Sequence, residues 1–113
     1  MNIYDYQIGK AELLSMTVFT VGSILDHVTT FYGLSLTTIK EVNPVVLMLI
    51  GSGSWNLVEV ILMILGNGSV FIASNSKSER MIVFSMTALL IAGTVRLLAG
   101  FHNMIVICSI ACI

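Results

Sequence analysis

Residues 13–39 read LLSMTVFTVGSILDHVTTFYGLSLTTI, a run between Glu12 and Lys40 in which Asp26 is the one Asp, Glu, Lys or Arg. Asp26 divides the run into two largely apolar halves of 13 residues each. A membrane-crossing helix needs roughly 20 residues, so neither half crosses alone. The whole run must cross once and carry Asp26 with it. The pattern recurs twice: Glu59 is the one charge between Val42 and Ser76, and Arg96 the one charge between Met81 and Ile113. Three segments therefore take three charges into what reads as lipid.

Composition agrees. The 113 residues are 57% hydrophobic and 10% charged, with a mean hydropathy of +1.00, too apolar for a chain of this length to fold in water. A formal net charge of −1 excludes a basic nucleic-acid binder and a polyacidic tail. Cys108 and Cys112 are too few for a disulfide framework, and at i and i+4 in an apolar run they read as inert thiols. The expected fold class is all-α, an integral membrane helical bundle forming a single domain over residues 1–113. Its spans are expected at about 10–33, 54–73 and 80–106, with a short extra helix after Pro44 over about 44–51.

The breaks are legible in residue type. Lys40-Glu41-Val42-Asn43-Pro44 joins charge to an Asn-Pro turn signal, with Asn43 as N-cap and Pro44 as first helical residue. Residues 74–80, SNSKSER, form a polar loop. Between them, Pro44 to Ala73 is too long for one straight crossing. Gly51-Ser52-Gly53-Ser54 is the favoured interruption, and Gly66-Asn67-Gly68-Ser69 the rival. The match of Asn67-Gly68-Ser69 to a glycosylation acceptor reads as a kink, since it lies in an apolar stretch. The third segment reads as one tilted or kinked helix. No cleavable leader is expected, because Asp5, Lys10 and Glu12 precede the first apolar run. Lys10, Lys77 and Arg80 on one side against Lys40 on the other place the N-terminus in the cytoplasm and the C-terminus outside a cell membrane, by the positive-inside rule.

Aromatic residues set a common depth for the charges. Asp26 lies six residues before Tyr32, Glu59 four after Trp55 and Arg96 five before Phe101, each about 6–9 Å below one boundary. Each lies on a stripe of small or polar residues at helical spacing: Ser23, Asp26, Thr30 and Gly33, then Ser52, Asn56, Glu59, Met63 and Gly66, then Ala92, Gly93, Arg96, Gly100 and Asn103. A lone charge facing lipid costs about 2.5–3.5 kcal/mol on insertion scales. The stripes are therefore expected to face one another, Arg96 pairing with Asp26 in preference to Glu59.

Asp26, His27, Thr30, Glu59, Arg96, His102 and Asn103 form the expected polar cluster, with Glu41, Asn43 and Pro44 capping the short helix. The structural reading makes the cluster an ion pair that fixes helix register. The alternative takes the carboxylate left over once Arg96 is neutralised, with His27 or His102, as a metal or proton site drawn from Asp26, His27, Glu59 and His102. No phosphate loop, nucleophile elbow or zinc-protease spacing is present, and the seven Met residues are scattered rather than clustered.

Asp26-His27-Val28-Thr29-Thr30, Gly33 and then Glu41-Val42-Asn43-Pro44 resemble the signature of a family of small bacterial and archaeal membrane proteins defined as a domain of unknown function, of the DUF5658 type. There an Asp-x-x-Ser/Thr-Thr helix is followed by Glu-x-Asn-Pro. The resemblance implies a compact domain of three to four membrane helices and brings no activity. It also leads one to expect a basic residue in the second span, where this chain has Glu59.

The expected function is a non-enzymatic structural or accessory subunit of a larger membrane assembly, such as a membrane enzyme complex. Three helices expose most of their surface, so the lipid bilayer, other membrane subunits or further copies of the chain are the expected partners. The alternative is a small metal-, ion- or proton-handling membrane protein. No cofactor is expected beyond the metal ion that this alternative would use.

Overall fold

The computed structural model describes residues 8–36 and 39–111. Asp5 and Cys112, noted above, lie outside them. The described residues are helical throughout apart from short connections: α1 (Lys10–Leu34), α2 (Pro44–Gly51), α3 (Trp55–Asn75) and α4 (Glu79–Ala111). Helices α1, α3 and α4 are each long and apolar enough to cross a membrane. At 1.5 Å per residue, the 21 residues of α3 make about 31 Å, close to one hydrocarbon thickness of about 30 Å. The 33 residues of α4 exceed it, as the unbroken apolar run requires, and give the molecule its long axis of 55 Å.

The connections follow from residue type. The Asn43 side chain accepts the Val45 N–H at 3.0 Å, and Glu41 Oε1 accepts the Asn43 N–H at 2.8 Å. With Pro44 in the first turn of α2, the orphan donors at this helix start are shared among side chains. At the other end Gly53 takes φ +74°, a conformation that glycine adopts without steric penalty, and the chain turns into α3. The interruption thus falls at Gly51–Ser54. The rival stretch, Gly66 to Ser69, lies inside α3, because Gly66 faces Phe19 and Leu89 and packing there needs a small residue, not a break. The polar loop is shorter than its composition implies. Ser74 and Asn75 stay in α3 and bond back to the carbonyls of Val70 and Phe71 at 2.8 Å. Only Ser76, Lys77 and Ser78 make the turn, with Lys77 at φ +59°.

Helices α1 and α4 approach most closely. A Cβ placed on Gly22 would stand 2.4 Å from Gly93 O, a backbone-to-backbone contact that larger residues forbid. Helix α3 closes against both through a core of Phe19, Val70 and Leu89, with Met16 and Met63 packed on it. Large apolar side chains elsewhere on all four helices face outward, as in a bundle with lipid as solvent.

The inward faces differ in part from the expected stripes. Ser23 and Gly33 are buried, but so are Ser15, Phe19, Gly22 and Thr29, while Thr30 is half-buried. Ser52 lies in the connection before α3, and Ala92 is exposed because α4 turns Leu89, Gly93 and Gly100 inward instead.

Candidate functional site

Asp26, Glu59 and Arg96 meet between the three long helices. Glu59 stands one turn into α3, while Asp26 and Arg96 lie in the interiors of α1 and α4. The Arg96 guanidinium donates Nη1–H and Nη2–H to the two carboxylate oxygens of Glu59 at 2.7 and 2.8 Å, and Nε–H to Asp26 Oδ2 at 3.1 Å. The planar fork of an arginine side chain suits this two-oxygen grip. Arg96 therefore pairs with both carboxylates, and the preference for Asp26 is reversed. Glu59, with a side chain 12% exposed against 22% for Asp26, takes the bidentate contact. Asn56, one turn before Glu59 on α3, pairs with His27 at 2.7 Å and so does not compete for the Glu59 carboxylate.

Asn103, two turns beyond Arg96 on α4, extends the cluster. Its Nδ2 donates to Thr30 Oγ1 at 3.0 Å and Thr29 Oγ1 at 3.1 Å, and lies 3.4 Å from Asp26 Oδ1. Thr29 donates in turn to the carbonyl of Leu25 at 2.7 Å, the local bond by which a threonine hydroxyl is satisfied in lipid. A Cβ on Gly100 would stand 3.1 Å from the Asp26 backbone nitrogen. Glycine at this position therefore lets α4 bring Arg96 and Asn103 onto α1.

The two histidines do not join the carboxylates. His27 follows Asp26 and so is rotated about 100° around α1. Its Nε2 pairs with Asn56 Oδ1 at 2.7 Å, and its ring lies 4.1 Å from that of Trp55. Phe31, one turn on, stacks on the same indole at 6.4 Å. Among the described residues His27 Nδ1 is buried with no hydrogen-bond partner. His102, one residue before Asn103, is turned to the exposed side of α4. It lines a cavity of about 280 Å³ at the α2 end of the bundle. Glu41 also lines this cavity, while Asn43 caps α2 with Pro44 behind it.

Among the described residues no group of three or more His, Cys, Asp or Glu stands close enough to hold a metal. The alternative ligand set of Asp26, His27, Glu59 and His102 is thus not assembled, since both carboxylates face Arg96 and both imidazoles face away. Two features were missed by sequence reasoning. Asn67 Nδ2 donates to Thr20 Oγ1 at 2.9 Å between α3 and α1, and Trp55 is covered by His27 and Phe31 rather than standing free at a boundary. Polar residues inside two apolar runs were the available signal for the first.

No curated protein and no solved structure matches the chain. The model of a domain of unknown function, DUF5658, matches residues 17–108. That stretch takes in α2, α3, the whole Asp26–Glu59–Arg96 cluster and most of α1 and α4, and the chain belongs to the DUF5658 family.

Proposed function

We propose that this chain is a non-enzymatic membrane subunit, a small helical body that docks on a larger membrane complex or on further copies of itself. The observation that carries the reading is the Arg96 fork, which engages Glu59 and Asp26 together. Both intramembrane carboxylates are thereby used to hold three helices in register. A charge network of this kind satisfies its own polar groups and can fasten a bundle without chemistry of its own. The outward apolar faces of α1, α3 and α4 then meet lipid and, where a partner supplies a matching surface, protein. The N-terminus is cytoplasmic and the C-terminus outside, by the excess of Lys10, Lys77 and Arg80 over Lys40.

Native mass spectrometry of the chain extracted from its own membranes in mild detergent tests the reading. A species carrying a second subunit, or several copies, is expected. A monodisperse monomer of 12.2 kDa with no partner would overturn it.

A second reading, proton or ion handling, is favoured by one observation. Among the described residues His27 Nδ1 is buried without a partner, next in sequence to a cluster whose three formal charges sum to −1. Uptake of protons or monovalent cations by proteoliposomes, abolished in His27→Ala, would establish it in place of the first.

A further inference from the structure

The cavity of about 280 Å³ at the α2 end is separate from the Arg96 fork and has two kinds of wall. One is polar, with Thr30 and Asn103 at the floor and Lys40, Glu41 and His102 around them. The other is aliphatic and includes Leu34, Ile39 and Ile107. We propose that this cavity binds a compact zwitterion in which a phosphate is joined to a primary ammonium, the chemistry of an aminophospholipid headgroup. The proposal goes beyond the docking role and stands independently of it.

Four observations carry it. The volume is just below the roughly 300–1,000 Å³ of small-molecule sites, so it admits a headgroup and not a whole lipid. The depth fits a headgroup as well. The cavity's α1 wall begins at Thr29 and Thr30, beside Phe31, which stacks on Trp55 at the first residue of α3. That is the level at which a spanning helix of about 31 Å ends and the polar boundary begins. Next, the charges at the rim have capacity to spare. Among the described residues Lys40 and His102 make no hydrogen bond or ion pair, and of the Glu41 carboxylate only Oε1 is engaged, by the Asn43 N–H.

Charge balance then selects the ligand. Lys40 and Glu41 cancel, the Asp26–Glu59–Arg96 group beneath the floor sums to −1, and the C-terminal end of α1 adds partial negative charge from its last carbonyls. A purely anionic headgroup would meet no net positive potential here. A zwitterion can place its phosphate toward Lys40 and His102 and its ammonium toward Glu41, with three N–H donors for the remaining acceptors. The acyl chains would leave along the aliphatic wall into the bilayer.

The test uses the full chain, washed free of lipid in detergent and titrated with phosphatidylethanolamine or phosphatidylglycerol, with adducts counted by native mass spectrometry. One phosphatidylethanolamine per chain is expected, preferred at least fivefold over phosphatidylglycerol. Lys40→Ala should weaken that adduct at least fivefold. Lys77→Ala, which removes a cation at the opposite end of the bundle, should leave it unchanged. Gly33→Leu fills the cavity from its α1 wall, where the nearest neighbours of an added Cβ are side-chain atoms of Ile39 and Ile107 at 3.6–3.8 Å, and should abolish the adduct. Lys40 is exposed and has no partner among the described residues, so its variant keeps the proposal falsifiable if Gly33→Leu fails to fold. An adduct indifferent to Lys40→Ala, or a preference for phosphatidylglycerol, would overturn the proposal. Glycerophosphoethanolamine added in excess separates the sources: displacement of the lipid means that soluble compounds of this class also occupy the site, and retention restricts it to lipid.

Discussion

Gly93 on α4 lies so close to Phe19 on α1 that a Cβ placed on it would stand 2.6 Å from both the Phe19 Cα and its amide nitrogen. Gly22, one turn along α1, meets Gly93 O in the same way. Contact between these two helices is thus backbone against backbone, and it sets how near Arg96 and Asn103 come to Asp26. Small residues permit packing that apolar side chains, equally at home in lipid, would not drive by themselves.

Gly93→Ala should therefore destabilise the bundle by about 1–3 kcal/mol, since the obstacle is backbone and cannot swing aside. Gly68 on α3 supplies the control. A Cβ there meets nothing within 4 Å among the described residues, so Gly68→Ala should be neutral or stabilising by up to about 1 kcal/mol through helix propensity. Thermal unfolding in detergent followed by circular dichroism compares the two. Equal midpoints would remove the close-packing account of the α1–α4 contact.

The start of α2 yields a local prediction. Asn43→Ala removes the acceptor for the Val45 N–H, a cap worth about 1 kcal/mol. Because α2 buries no residue fully, the loss should stay local. Hydrogen exchange at the Val45 amide should accelerate about fivefold while amides near Val70, at the core, keep wild-type protection. Uniform acceleration across the chain would mean instead that α2 is coupled to the whole fold.

Orientation is open to labelling in a variant without its native thiols. Ser76, exposed in the α3–α4 turn, and Ser52, exposed between α2 and α3, lie at opposite ends of α3. A membrane-impermeant maleimide applied to intact cells should label Ser52→Cys and spare Ser76→Cys. The reverse pattern would invert the topology inferred from Lys10, Lys77 and Arg80.

Sequence made the helices visible because each interval between charged clusters is either long enough to cross lipid or too short, and Asn43-Pro44 marks a helix start by its own chemistry. It also brought Asp26, Glu59 and Arg96 to one level, since helical rise is constant and Trp55 and Tyr32 fix a reference. Rotation was harder to read. His27 and His102 are each one residue from a cluster member, and one residue is about 100° of helix, enough to turn both imidazoles away. Depth is additive along a chain, whereas facing depends on which neighbour a helix meets. Gly22 against Gly93, absent from the expected stripe on α1, was invisible without that partner.

The last prediction concerns the order in which the cluster's members matter. Arg96→Gln leaves Asp26 and Glu59 facing each other with no cation between them, so two negative charges lose their compensation at once. Removing the partner of a fully buried charge costs about 3–5 kcal/mol, and the 22% exposure of Asp26 sets this as the upper end of the expected loss. Glu59→Gln breaks the bidentate contact but leaves Arg96 beside Asp26, so its cost should be intermediate. Asp26→Asn should be mildest, within about 1 kcal/mol of wild type, because the Arg96–Glu59 pair survives as a neutral unit and an amide can still accept from Nε–H. The double variant Glu59→Gln/Arg96→Gln should recover part of the single Arg96→Gln loss, since it leaves one carboxylate where the single change leaves two. Thermal midpoints in detergent for all four decide it. Strictly additive losses in the double variant, or an Asp26→Asn more damaging than Glu59→Gln, would mean that Arg96 is held by something other than the geometry of its fork on Glu59.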